Sequence, residues 1–339
     1  MSVILTALAL LSGAVGAGFA SGRELLRFFA LHGRMAWAAA LCALGMLALL
    51  FLRLPAQMEH YRAPTLPKLC TARLGRRFGR LCAGLFVLLA ALTGGAMLCA
   101  CAELGALVLP FRHAYGFTLF LTLSLSGLLA ANGNGGLAVP GAALSLLLPA
   151  LLARLLCLPA GEACFLPAMS PDLPVRALCD GTAYGALNAA MLAGVLPLLV
   201  PLSARERRRT VSLFTLLLGV LLFLGVQVCL HHLPALMHQP MPFVFLSRRL
   251  GAGGYLLVAA CLYAAALSTL CAMLYALASA CPLPRRQSVC MGALACLLFA
   301  GIGFGPLIDR GYPALGALCA GLLLVLCAPS GQESSPSAR

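Results

Sequence analysis

The sequence predicts an all-α integral membrane protein of ten spans, and three observations predict it. The 339-residue chain is 62% hydrophobic and only 9% charged, with a mean hydropathy of +1.00. No soluble domain of this size has that composition. The apolar residues fall into ten segments, roughly 3–31, 34–52, 79–109, 114–131, 137–157, 177–202, 211–233, 254–280, 289–308 and 311–328. Each is close to or above the ~20 residues that cross ~30 Å of hydrocarbon. Finally, the first and sixth segments carry polar, glycine-rich interruptions, and five spans per half give the second half the opposite orientation. Such a repeat is inverted in the membrane.

The first segment is the most informative. Gly16-Ala17-Gly18-Phe19-Ala20-Ser21-Gly22-Arg23-Glu24 holds three glycines in seven residues. Each weakens a helix by about 1 kcal/mol relative to Ala. Ser21 followed by Glu24 reads as a capping box, which starts a helix. A helix that restarts within the bilayer exposes backbone N–H and C=O groups, and lipid tolerates these only where they line a cavity. Gly16, Ala17, Gly18 and Ser21 are therefore candidate ligands for a solute. In the sixth segment, Asp180-Gly181-Thr182-Ala183-Tyr184-Gly185-Ala186-Leu187-Asn188 is the matching stretch, with Tyr184 and Asn188 as candidates and an expected break near Gly185–Asn188. Small residues serving helix packing are the simpler reading of that stretch.

The net charge of +14 does not mark a nucleic-acid binder, because the basic residues sit in short loops and no basic face interleaves aromatics. With the N-terminus inside, the inner loops hold Arg53, Arg62, Lys68, Arg73, Arg76, Arg77, Arg80, Arg205, Arg207, Arg208, Arg209, Arg285, Arg286 and Arg339. The outer loops hold half as many: Arg34, Arg112, Arg154, Arg176, Arg248, Arg249 and Arg310. The bias places both termini in the cytoplasm. The N-terminus lacks the basic region of a signal peptide and reads as a retained first helix. The basic stretch 53–78 is expected to lie along the membrane surface. One transmembrane domain, 1–328, accounts for the chain, with halves at about 3–157 and 177–328 and a disordered polar tail at 329–339.

Sixteen cysteines lie mostly inside apolar segments, where they act as small hydrophobes. Cys157, Cys164 and Cys179 flank an outer loop that would admit a disulfide. His231, His232 and His238, with Met237 and Met241, form a loose cluster that reads as interfacial more readily than as a metal site. Asn132-Gly133-Asn134-Gly135-Gly136 lacks the Lys and Ser/Thr of a phosphate loop and reads as a tight turn. No Ser/His/Asp arrangement or H-E-x-x-H motif occurs, so the chain does not read as an enzyme, and no cofactor is expected.

Gly16-Ala17-Gly18-Phe19-Ala20-Ser21-Gly22-x-Glu24, followed by Phe28-Phe29 and Gly33, resembles the first helix of the YkvI-like bacterial membrane proteins. Tyr184-x-x-x-Asn188 followed by Val195-Leu196-Pro197-Leu198 resembles their sixth, and Arg23 stands where Gln is expected. The family is similar to the amino acid–polyamine–organocation superfamily, with the LeuT-type 5+5 inverted repeat and helices 1 and 6 interrupted. The resemblance implies a secondary transporter in a bacterial plasma membrane. Its partners are the lipid bilayer and a small solute.

Four further positions carry alternatives. Adjacent hydroxyls on the eighth span, Ser268 and Thr269, match the pair that holds sodium with broken-helix carbonyls in LeuT-type transporters; their simpler role is bonding to their own helix. Glu103 is an isolated intramembrane acid that suits proton coupling or a helix–helix hydrogen bond. Glu24 and Arg27 suit gating, or an i,i+3 pair within the half-helix, while Arg23 and Arg27 also suit interfacial snorkelling. Asp180 reads as a cap of the sixth span. The combined expectation is a symporter of a small polar or zwitterionic solute such as an amino acid, coupled to Na+ or H+. A membrane sensor with the same fold is the alternative.

Overall fold

The computed structural model describes residues 3–132, 138–159 and 173–328, with the side chains of 138–146 left aside. Among these residues the secondary structure is helical throughout, with no strand. In chain order the helices are α1 (Val3–Ala14), α2 (Ala17–Ser21), α3 (Arg23–Phe28), α4 (Ala36–His60), α5 (Leu66–Val108), α6 (Ala114–Ala131), α7 (Ala138–Leu156), α8 (Leu173–Met191), α9 (Ala204–His231), α10 (Leu233–Leu236), α11 (Pro242–Ser247), α12 (Gly251–Ala280), α13 (Arg285–Ala300), α14 (Phe304–Pro306) and α15 (Tyr312–Cys327). Six stretches of the described chain are long and apolar enough to cross a membrane: Ala30–His60, Leu66–Val108, Ala114–Ala131, Ala204–His231, Pro242–Ala280 and Phe304–Cys327. The other expected spans are shorter or interrupted helices. The turn at 133–136, Cys164 and the tail 329–339 lie outside the described residues.

The first segment is broken twice. α1 stops at Ala14, and α2 is followed by Gly22 in the left-handed region at φ +82°, ψ −4°. An L side chain there would be strained, and its Cβ would lie 2.8 Å from the Phe243 ring. Glycine is thus required by conformation and by space together.

The sixth segment differs from its expectation. α8 is continuous from Leu173 to Met191, straight through Gly181, Gly185 and Asn188. It gives way to 3₁₀ turns at Leu192–Gly194 and Leu196–Leu199. The glycines serve packing: α8 lies between α4 and α15. A Cβ on Gly181 would run into the Ala39 carbonyl, and one on Gly185 would sit 2.6 Å from the Ala43 oxygen. On the other side Gly316 of α15 approaches Ala183, where a Cβ would lie 2.7 Å from the carbonyl. Small residues let the three backbones meet, as membrane helices without a hydrophobic drive between them require.

The expected capping box at Ser21 does not form. Gly22 is the N-cap of α3 and makes no side-chain cap. A capping box does form at α9, where Glu206 N–H donates to Ser203 Oγ (3.3 Å) and Ser203 N–H donates to Glu206 Oε2 (3.0 Å). α9 runs antiparallel to α4, with Trp37 stacked on Phe223, Phe51 against Phe214 and Arg207 near Glu59 (3.6 Å).

The basic stretch after α4 is helical rather than a loop. Gly75, at φ +82°, separates its first two turns from the long span of α5. Arg73 in those turns donates to the carbonyls of Leu326 and Ala328 at the end of α15. Arg285 donates to Ala130 O (2.9 Å) at the end of α6.

The close approaches of α8 make a prediction. Gly181→Ala and Gly185→Ala each drive a methyl into backbone and should destabilise by ~1–3 kcal/mol. Gly116→Ala in α6, where nothing lies within 4 Å, should be neutral or stabilising through helix propensity. Thermal unfolding of the three variants in detergent checks this, and equal shifts would refute it.

Candidate functional site

The site grows out of the gap between α1 and α2. A helix end leaves four N–H groups or four C=O groups without intrahelical partners. Here two ends meet: the carbonyls of residues 12–15 and the N–H groups of residues 16–19 have no backbone partner among the described residues. Gly16 is extended, at φ −83° and ψ −178°, and has no side chain to cover them. Ala17 and Gly18 are buried beside it.

Across the gap stands α12. A Cβ on Gly16 would lie 3.6 Å from Thr269 Oγ1. Thr269 Oγ1 donates to Ala265 O (3.0 Å), and Ser268 Oγ donates to the same carbonyl (2.9 Å). Both hydroxyls therefore bond their own helix, as such residues commonly do. Donating uses the hydrogen and leaves the oxygen lone pairs free. Thr269 thus presents a hard oxygen to the backbone at Gly16.

The second part of the site is the turn at Gly18–Glu24. Ser21 Oγ donates to Gly18 O (3.0 Å) and accepts from Arg23 N–H (3.3 Å), which ties α2 to α3. Glu24 folds back so that its carboxylate fills the space where a Gly18 side chain would be. It is 5% exposed and makes neither a hydrogen bond nor an ion pair with any described residue. The expected pair with Arg27 does not form.

Both arginines of α3 are committed elsewhere. Arg23 makes a bidentate pair with Asp309, through Nε to Oδ1 (3.0 Å) and Nη2 to Oδ2, and also donates to Gln239 O (2.8 Å). Such fork geometry is among the strongest of polar contacts. Arg27 donates to Asp180 Oδ2 (2.9 Å) and to Asp309 O (3.1 Å), with His32 Nε2 3.1 Å from the same Asp180 oxygen. Asp180 is the eighth residue of α8, so it holds an ion pair across helices rather than capping its own. Snorkelling is excluded as well, since Arg23 and Arg27 are only 14% and 27% exposed.

Tyr184 and Asn188 lie on α8 one turn apart, and Asn188 Nδ2 donates to Tyr184 O (3.0 Å). The Tyr184 ring meets Phe28 and Phe29 edge-on, with centroids 5.2 and 4.9 Å away. Its hydroxyl is buried without a partner, as are those of Tyr312 and Thr93. Glu24 lies within electrostatic range of both phenols, and Thr93 lies beside Tyr312. Glu103 stands apart, on α5. Cys99 Sγ lies 3.4 Å from its Oε1, and Tyr115 is 3.6 Å from the same sulfur.

Four contributors went unseen in the sequence: Asp309, Tyr312, Thr93 and His32. Asp309 and Tyr312 had a signal, in Asp309-Arg310-Gly311-Tyr312-Pro313 between two apolar runs. The structure gives Leu307–Gly311 as a π-helical turn, a form frequent at functional sites. His231 and His232 stack edge-on at 4.8 Å, and the described residues hold no group of three or more metal-ligating side chains. Cys157 and Cys179 are free thiols. A groove of about 610 Å³ between α4 and α9 is lined by apolar residues such as Leu44, Leu52 and Phe223. None of its lining residues belongs to the break.

With this geometry in place, the comparison with solved structures is decisive for the fold. The chain has the fold of a solved membrane symporter. A Na+-coupled sialic acid symporter, solved substrate-bound and outward-open, aligns with a TM-score of 0.61 over 96% of this chain and 78% of its own. The two are 13% identical, so the likeness carries architecture alone. No protein-family model matches the chain. No curated protein matches it by sequence.

The ion pairs of α3 make the second prediction. Asp180→Asn removes the charge that faces Arg27 and leaves it only neutral acceptors such as Asp309 O, which should cost ~1–3 kcal/mol, the scale of a hydrogen bond between charged groups. Hydrogen exchange over residues 23–35 should rise with it. The double variant Arg27→Gln, Asp180→Asn should recover part of the loss. A single variant no worse than the double would show that the pair contributes nothing.

Proposed function

We propose that the chain is a cation-coupled secondary transporter of a small polar or zwitterionic solute such as an amino acid. It works by alternating access in a bacterial plasma membrane, with ten spans, an inverted repeat and both termini in the cytoplasm. The observation that carries this reading is the hydroxyl of Thr269 set against the bare backbone at Gly16. Free carbonyls at the end of α1 and a threonine oxygen are the hard ligands a small cation takes. A membrane helix keeps such a gap only where the freed backbone is buried in protein or lines a water-filled cavity, and such places are where broken-helix transporters hold their ligands. The fold shared with a Na+-coupled symporter supports the same reading.

Sodium is the coupling ion this geometry favours, with Thr269 as the side-chain ligand and Ser268 beside it. Glu103 as a proton carrier has less support, because it stands apart from the break and already has Cys99 for company. Solute binding is assigned to Gly16, Ala17, Gly18 and Ser21 on the first segment and to Tyr184 and Asn188 on α8. Gating falls to the arginines of α3. Arg23 and Arg27 join α3 to α8 and to the turn that carries Asp309. Opening that end requires both pairs to part, and binding energy from solute and ion must supply the cost. Glu24 acts inside the gate rather than in it.

Flux in proteoliposomes tests the proposal. A pool of labelled amino acids should accumulate under an inward Na+ gradient and not under K+. Thr269→Ala should reduce the sodium-driven component at least about tenfold, the effect of losing one ion ligand among several. Uptake that ignores both the gradient and the substitution would overturn sodium coupling. Binding without flux under any gradient would favour a sensor.

A further inference from the structure

The groove between α4 and α9 is graded from one end to the other. Leu44 and Leu52 of α4 line it, with Ser212, Thr215, Leu216 and Phe223 of α9. Its wall on α9 runs from Val211 to Leu224, about 20 Å of helix. That is more than half of the ~30 Å hydrocarbon layer. Both helices belong to stretches that can cross a membrane, and Leu216 and Phe223 are 65% and 56% exposed. The groove therefore opens onto lipid. Two hydroxyls interrupt its apolar wall. Ser212 is exposed. Thr215 Oγ1 is buried without a hydrogen-bond partner among the described residues. Threonines in membrane helices commonly bond their own carbonyls, as Thr269 does. The Thr215 hydroxyl is left unspent. One turn beyond Ser212 the same face becomes basic. Arg205, Arg208 and Arg209 precede Ser212 by seven, four and three residues, which sets them on its side of the helix. All three are exposed, and none forms an ion pair with another described residue. The acids nearby are taken: Glu206 accepts from Ser203 in the capping box, and Glu59 of α4 faces Arg207 at 3.6 Å.

We propose that this groove holds an anionic phospholipid, with its phosphate at Arg208 and Arg209, its ester carbonyls at Ser212 and Thr215, and an acyl chain along Leu216 and Phe223. Charge, hydroxyl and hydrocarbon follow one another along α9 in the order of the groups along such a lipid. Arginine meets phosphate through parallel N–H bonds, and a free hydroxyl can donate to an ester carbonyl. Basic pockets between membrane helices favour acidic headgroups for the same reason. Arg205, one turn further out, adds to the attraction. A second copy of the chain fits less well. A twofold axis along the membrane normal would set two arginine clusters against each other at one depth. Free phosphate would find the charge and leave the apolar wall uncovered. The groove shares no lining residue with the broken first helix, so the site stands whether or not the chain transports.

Native mass spectrometry of the purified full-length chain tests the site, with phosphatidylglycerol and phosphatidylcholine of identical acyl chains as probes. A basic residue at a membrane surface strengthens binding of an acidic headgroup about fivefold, so two should make phosphatidylglycerol bind about 25-fold more tightly. Arg208→Gln combined with Arg209→Gln should abolish that preference and leave phosphatidylcholine unchanged. Gly219 lines the groove, and Gly219→Leu fills it and should weaken both lipids alike. Arg76→Gln combined with Arg77→Gln removes as much charge from an exposed part of α5 and should leave the preference intact. Inorganic phosphate in excess should not displace the lipid. Equal binding of the two lipids, a preference that survives loss of Arg208 and Arg209, or an equal loss from the α5 pair would overturn the site. So would displacement by phosphate, or a lipid-free dimer that Gly219→Leu dissociates. The arginines are exposed, so their substitution decides the matter even if Gly219→Leu does not fold.

Discussion

A helix that stops inside a membrane must have its backbone satisfied by something other than lipid, and that constraint organises the rest of the structure. At Val15–Gly16 the ladder ends and restarts, leaving the carbonyls of one short helix and the amides of the next without partners. Each would cost several kcal/mol against hydrocarbon. The fold therefore encloses the gap. α12 brings Thr269 to one side, and the Gly22 turn closes against Phe243 of α11 on another. Wrapping the gap requires neighbours that come close, hence small residues at the contacts of α8 with α4 and α15.

Enclosure has an electrostatic consequence. α3 is short and enclosed on every side: Leu25, Leu26, Phe28 and Glu24 are buried, and Arg23 and Arg27 are only partly exposed. Arg23 and Arg27 cannot reach water in full, so they are held by acids from other parts of the chain, 286 and 153 positions away. Buried pairs of this kind add little net stability compared with apolar packing. What they add is a defined arrangement with an alternative, because breaking them exposes charge that only water can satisfy. That is the property a gate needs, and the continuous apolar contacts elsewhere in the bundle lack it.

The parts of this arrangement that were legible in the sequence are those written in neighbouring residues. Gly16, Gly18 and Gly22 spell a break because helix propensity is a local property. The pairing of Ser268 and Thr269 with the break was legible only through a family resemblance. The sixth segment misled because glycine weakens a helix and also lets helices approach, and the sequence writes both the same way. Which one applies at Gly181 and Gly185 depends on the Ala39 and Ala43 carbonyls, which sit on another helix. Ser21 and Glu24 misled for a related reason. The motif is real, but Gly22 takes the left-handed conformation and becomes the cap itself. Asp180 was read against its own helix, while its partners came from α3 and the turn after it. Thr93 gave no local sign, since an orphaned hydroxyl is defined by what fails to surround it.

The charges around α3 follow from the same constraint. Arg23 pairs with Asp309 and Arg27 with Asp180, so each arginine of the short helix is met by an acid from a distant part of the chain. Both pairs keep partial contact with solvent, which leaves them open to screening by counterions and water. Glu24, between the two arginines in sequence, is 5% exposed and has no such partner among the described residues. A buried carboxylate without a partner is costly as an anion. The turn at Gly18–Glu24 is therefore where enclosing the broken helix leaves a polar group least satisfied, and it stands next in the chain to the unpaired backbone at Gly16.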